Sequence, residues 1–136
     1  MFDALEASLV AAIDGAVVGA PIYGTWDYID FTAQGAPSVG IKVSWDGYPI
    51  QQQTLDAVRG DQRFIVSVIV NQPRVNATAR AAASAGIATL IGRLIAWRPV
   101  EDTSAQIDTS AGPAEDAGLW VYSIAITIPD IRLRAS

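Results

Sequence analysis

The chain contains no cysteine and no histidine. Without thiols there is neither disulfide nor thiolate chemistry. Without imidazole, the commonest general base and the commonest nitrogen ligand for metals are missing together. Charge is also scarce: 17% of the 136 residues are charged, against roughly 25% in an ordinary soluble domain. Lys42 is the only lysine. The longest charge-free helical run, Ala81 to Gly92, falls short of the ~20 apolar residues of a membrane span, so no membrane association is expected. Met1-Phe2-Asp3 lacks the positive region of a signal peptide, and Glu6 and Asp14 interrupt the first apolar stretch. These absences point to a soluble protein made in a reducing compartment.

What the chain does have is apolar surface. Hydrophobic residues make up 51% of it, a high share for a length that forms one small domain, here taken as residues 1–136. A small domain has much surface for its volume, so the surplus is expected to lie against another subunit. The net charge of −5 argues against gripping nucleic acid through its phosphates. The charges are segregated along the chain. Residues 1–58 carry seven acids and Lys42, residues 59–98 carry six arginines and Asp61, and residues 101–118 carry five acids and no base. Solvated faces would explain this, and so would an acidic face of one subunit meeting a basic face of the next.

Hydrophobic spacing predicts an α+β fold in the order α-β-β-β-α-β, an antiparallel sheet of about four strands flanked by two helices. Phe2, Leu5, Leu9, Ala12, Ile13, Ala16 and Val17 place one helical face near the start, ended by Gly15 or Gly19 and then Pro21. Residues 22–31 are aromatic without a clean period and read as an extended segment or loop. Val39 to Trp45 alternates strictly, as a half-buried strand does. Asp46-Gly47-Tyr48-Pro49 reads as a turn, Ile50 to Thr54 as a polar strand near a sheet edge, and Arg59-Gly60-Asp61 as another turn. Phe64 to Val70 is apolar on both faces except at Ser67, which predicts a central strand covered on both sides. A second helix follows from about Ala77 to Trp97. Asn76-Ala77-Thr78 matches a glycosylation acceptor and is better read as the cap of this helix. Its core stripe is expected at Ile87, Leu90, Ile91, Leu94 and Ile95, and its Ala- and Gly-rich half should let something pack closely. Residues 101–118 form a long acidic loop. Trp120 to Ile128 is the last strand, stopped by Pro129, and residues 130–136 form a C-terminal tail.

Catalytic chemistry finds little to work with. The glycines at 15, 19 and 24 lack the spacing of a phosphate-binding loop, and no serine has a histidine partner. Asp27 and Asp30, flanked by Trp26, Tyr28 and Phe31, are the one constellation resembling a carboxylate pair for sugar cleavage. Aromatics beside aspartates are common in loops, so a structural role outweighs it. The acids of 101–118 lack the ligand spacing of a calcium loop. The expectation is a non-enzymatic protein with no catalytic residue, no cofactor and no metal. The residues expected at subunit interfaces are Arg59, Arg63, Arg74 and Arg80 on the basic side. Asp27, Asp30, Glu101, Asp102, Asp108, Glu115 and Asp116 are expected on the acidic side.

The order amphipathic helix, strands, buried strand, Ala-rich helix, long loop and last strand resembles the tail-terminator proteins of tailed phages, the Mu-like prophage version in particular. The residues that carry the resemblance are 37–45 (Pro-Ser-Val-Gly-Ile-Lys-Val-Ser-Trp), 62–71 (Gln-Arg-Phe-Ile-Val-Ser-Val-Ile-Val-Asn), 77–99 and 119–128. It spans roughly residues 1–130 as pattern and order, with no diagnostic motif. The resemblance implies a ring, typically a hexamer, that caps the finished tail tube in the virion and meets head–tail connector proteins. Assembly would take place in the host cytoplasm, and DNA would pass through the bore without sequence-specific binding. Other head–tail connector or tail-completion proteins, and oligomeric adaptor modules outside phages, share the same general features. A carboxylate-dependent hydrolase is the least favoured reading.

Overall fold

A computed structural model describes residues 2–101, 103–108 and 112–135. Helix α1 (Phe2–Ile13) buries Leu5, Leu9 and Ile13, a four-residue spacing that keeps them on one face. The helix stops at Ile13, before the glycines, and the chain continues with Ala16 and Val17 still in the core. Helix α2 (Ala77–Ala96) starts at Asn76, whose side chain accepts the Ala79 N–H at 2.7 Å. This is the capping role expected of Asn76, and it satisfies one of the helix's unpaired donors.

The buried positions of α2 are Ala83, Gly86, Leu90 and Leu94, with Ile87 and Ile91 packed at the margin. Ile95, expected in the stripe, is 61% exposed. The cause is Gly86. A Cβ built there would lie 2.7 Å from Val17 Cγ2 and 2.8 Å from Val17 Cα, so the 16–17 segment presses directly on the helix backbone. That contact turns α2 onto its small-residue side and lifts Ile95 out. By length and composition alone α2 is apolar enough to cross a membrane; in this fold one face packs on the core and Arg80 and Arg93 lie at exposed positions. The Trp97 indole N–H donates to Ser8 Oγ at 3.0 Å, fastening the end of α2 to α1.

Among the described residues the sheet contains seven strands rather than about four, in the order β1-β2-β4-β7-β5, with β3 beside β4 and β6 beside β7. They are β1 (Ile22–Tyr23), β2 (Val39–Trp45), β3 (Ile50–Gln53), β4 (Ala57–Asn71), β5 (Gln106–Asp108), β6 (Ala114–Asp116) and β7 (Leu119–Arg134). The α+β class holds, but the element order is α-β-β-β-β-α-β-β-β. All pairings are antiparallel except β1 with β2. The added strands are two or three residues long, too short to show a period. Two of them, β5 and β6, lie inside the expected acidic loop and pair with the edge of β7 that faces away from β4.

Two expected breaks are absorbed instead into the long β4–β7 pair. Arg59-Gly60-Asp61 is not a turn but part of β4, where the register shifts between Gly60 and Gln62. Opposite it, Pro129 does not stop β7. Proline lacks an N–H and is tolerated in a sheet at a bulge; Asp130 follows with φ 59°, and its N–H meets Asp61 Oδ1 at 3.3 Å. Residues 130–134 therefore continue the strand rather than forming a tail. Gly60 is needed there because a Cβ would lie 2.3 Å from the Pro49 carbonyl oxygen.

The core lies between the helices and one face of the sheet. Val39, Ile41 and Val43 line up with Val70, Val68 and Val66. The same β4 positions pair with Trp120, Tyr122 and Ile124, and Phe64 pairs with Ile126. Phe64, Val66, Val68, Ile124, Ile126 and Ile128 are fully buried. Gln62, buried among them, is satisfied by the Trp45 indole N–H at 2.8 Å. The second face of β4 is not covered as expected: among the described residues no helix lies on it, and Ile65, Ser67 and Ile69 stay half-buried.

Candidate assembly surface

The uncovered face of the sheet is built in rows that cross three strands. Gly40, Ile69 and Val121 form one row, Lys42, Ser67 and Ser123 the next, and Ser44, Ile65 and Ala125 the third. The side chains are small or β-branched, and the Ser67 and Ser123 hydroxyls bond across at 2.9 Å. The one charge, Lys42, donates its ammonium to the carbonyl oxygens of Gly24 and Asp27. The centre of this face is therefore flat, small-residue and without a free charge.

A loop of residues 24–36 closes one end of that face. Phe31 is buried over Gly40, whose missing side chain makes the space, and the Asn71 side-chain amide donates to the Phe31 carbonyl at 2.8 Å. The Arg74 guanidinium donates to the carbonyls of Ala33 at 2.7 Å and Thr32 at 3.0 Å. Asp27 accepts the Gly24 N–H at 2.7 Å. Asp30 accepts the Thr32 N–H at 2.9 Å and its hydroxyl at 2.6 Å. The Thr32 hydroxyl, then the Thr32 N–H, hold the Asp30 carboxyl below the usual carboxylate range. A general acid of a glycosidase needs the opposite shift. Both aspartates border a recess of about 450 Å³ with Tyr28, Lys42 and Ile69, and Trp26 and Tyr28 beside them are 77% and 93% exposed.

The residues expected at interfaces divide into three groups. Some are engaged within their own chain: Arg59 faces Asp130 at 3.4 Å and Arg63 faces Asp46 at 3.8 Å, while Arg74, Asp27 and Asp30 hold the 24–36 loop. Others stand exposed: Arg80 on α2, Glu101 after the second helix, Asp108 on β5 and Glu115 on β6. Asp116 is placed by its backbone alone, opposite Leu119. Asp102 lies outside the described residues. The arginine and acid blocks of the sequence thus partly interleave in space, because β4 and β7 run side by side. Exposed pairs such as Arg59–Asp130 contribute about 0–1 kcal/mol.

Arg80 is the arginine of that set with neither an ion pair nor a side-chain hydrogen bond among the described residues. It stands at the rim of a cleft of about 490 Å³ lined by Val70, Val75, Ala83, Ile87 and Trp120. Trp120 is stacked on Tyr122, centroids 6.2 Å apart. The cleft lies at one end of β4. At the other end, the β3–β4 hairpin presents Leu55 at its tip, 107% exposed, beside exposed Asp56. Sequence reading missed both features. The one cue was an apolar residue between Thr54 and Asp56 in a turn, where polar residues are the rule.

No protein-family model and no curated protein matches the chain. Among solved structures, a chain from the "Virion of native gene transfer agent (GTA) particle" is similar over 95% of this chain and 96% of that one, at 16% identity and a TM-score of 0.49.

Proposed function

We propose that this chain is a ring-forming structural subunit of a tailed-phage-like virion, acting as the terminator that caps the tail tube and meets the head. The observation that carries the reading is the one-sided sheet: both helices on one face, the other face small-residue at its centre, its one lysine already bonded to the 24–36 loop, and no helix over it among the described residues. A domain with 51% hydrophobic residues and an uncovered central sheet is suited to burying that face against copies of itself or other virion proteins. The sequence resemblance supplies the specific assignment, with the tail tube and connector proteins as partners and DNA in the bore. The acids at β5, β6 and residue 101 would keep such a bore from holding phosphate.

The proposed role is structural, a reading supported by the hydrogen bonds that tie Asp27 and Asp30 into their own loop. Electron microscopy of purified protein mixed with uncapped tail tubes tests the proposal. Rings seated at one tube end are the expected image. Tubes that stay bare and lengthen as if nothing had been added would refute it.

A further inference from the structure

We infer that subunits dock head-to-tail, the Leu55–Asp56 hairpin tip of one copy seating in the Arg80-rimmed cleft of the next. The inference rests on the ring reading above and names the contact that would close the ring. Leu55 is fully exposed at 107%, at the tip of a two-stranded arm where turn positions are ordinarily polar. The cleft offers room for it: about 490 Å³, lined by Val70, Val75, Ala83, Ile87 and Trp120 together with the polar Gln72, Ser84 and Arg80.

Charge matches in two places. Asp56 follows Leu55 and has no cation partner among the described residues, and Arg80 at the cleft mouth has no anion partner. Around them the signs are again opposite. The arm carries Arg132 and Arg134 on β7, whereas Glu115 stands opposite Trp120, which lines the cleft. Tip and cleft occupy opposite ends of the 15-residue β4, roughly 45 Å apart at the rise of an extended strand. A knob and a hole on opposite ends of one subunit cannot satisfy each other in a two-fold dimer with a single contact patch; they make a heterologous contact, which closes into a ring when the rotation between neighbours closes and otherwise runs on as a filament.

Sedimentation velocity on three proteins tests this: wild type, Leu55→Asp (knob removed) and Ser84→Trp (hole filled from an exposed position of α2). Leu55 and Ser84 are both exposed, and matching circular dichroism melts would show that the variants fold. Each variant alone is expected to stay monomeric, whereas an equimolar mixture forms a one-to-one dimer through the single intact knob and hole. Leu55→Ala should weaken wild-type association by roughly ten- to a hundredfold, the factor for leaving a buried leucine in water. Arg80→Asp should weaken it too, and Asp56→Arg on the neighbour should restore it. If wild type assembles and the folded variants assemble equally well, this contact is wrong and the ring reading stands. If wild type is monomeric at every concentration, this contact is also wrong, since it needs no template, and binding to tail tubes then decides the ring reading separately.

Discussion

Tyr48 shows how one side chain ties distant segments together. Its hydroxyl donates to the Ile131 carbonyl, linking the turn after β2 to the far arm of β7. Burial pushes its phenol up from the ordinary value, and the carboxylates of Asp130 and Asp61 push the same way, against a hydrogen bond with the Gly60 backbone. A raised folded value means the stabilisation is present below the unfolded pKa of about 10 and is lost as pH rises through the folded value. Tyr48→Phe should therefore cost about 0.5–1.5 kcal/mol at neutral pH. Denaturant melts should also show a smaller alkaline loss in the variant than in wild type; equal alkaline losses would count against the linkage. Asp27 and Asp30 belong to the same class of local ties. A double Asn variant keeps the acceptor oxygens and should assemble and function normally. A folded, fully assembling double variant that loses a measurable turnover would show these carboxylates to be catalytic.

Helix α2 illustrates where element packing is decided by absence of a side chain. Gly86→Ala adds helix propensity worth up to about 1 kcal/mol, but its Cβ meets the Val17 backbone at 2.8 Å. Overpacking at about 1–3 kcal/mol wins, so the variant should melt lower than wild type. Leu90→Ala, fully buried beneath the same helix, should lose about 2–5 kcal/mol. A Leu90→Ala variant with the wild-type melting temperature would mean that the buried face of α2 is misassigned. Elements with strong periods were readable in advance: α2 with its Asn76 cap, the alternating β2, and the Trp120-to-Ile128 face of β7. Unreadable elements were those whose hydrogen bonds come only from distant partners. Nothing in Ile22–Tyr23, Gln106–Asp108 or Ala114–Asp116 signals a strand until β2 and β7 are beside them. Pro129 and Gly60 looked like breaks because local chemistry cannot reveal that they face each other across one bulge. The candidate interface was legible to a similar degree. Its residue types were evident, but the partners of Arg59 and Arg74, Asp130 and the Thr32 and Ala33 carbonyls, lie about 71 and 41–42 residues away. Their internal use could not be seen from spacing.

Taken as one body, the molecule is lopsided. One sheet face holds the helices and the core; the other presents rows of Gly, Ser, Ala, Val and Ile with Lys42 among them, closed at one end by the 24–36 loop. The long β4–β7 pair carries a hairpin knob at one end and an apolar cleft at the other. Such a subunit has two different faces to offer a neighbour, as a head-to-tail contact requires. If the proposed contact is guided by charge, Arg80→Glu should weaken assembly more at low salt than at high, where screening acts over about 8 Å or less. The mass of the purified particle, measured by light scattering as it leaves a sizing column, bears most directly on this account. The predicted result is one discrete species, a closed hexameric multiple of the 14.4 kDa chain whose mass does not change with loading. A chain that runs as a 14.4 kDa monomer at every concentration, and that also fails to bind preformed tail tubes, would contradict it.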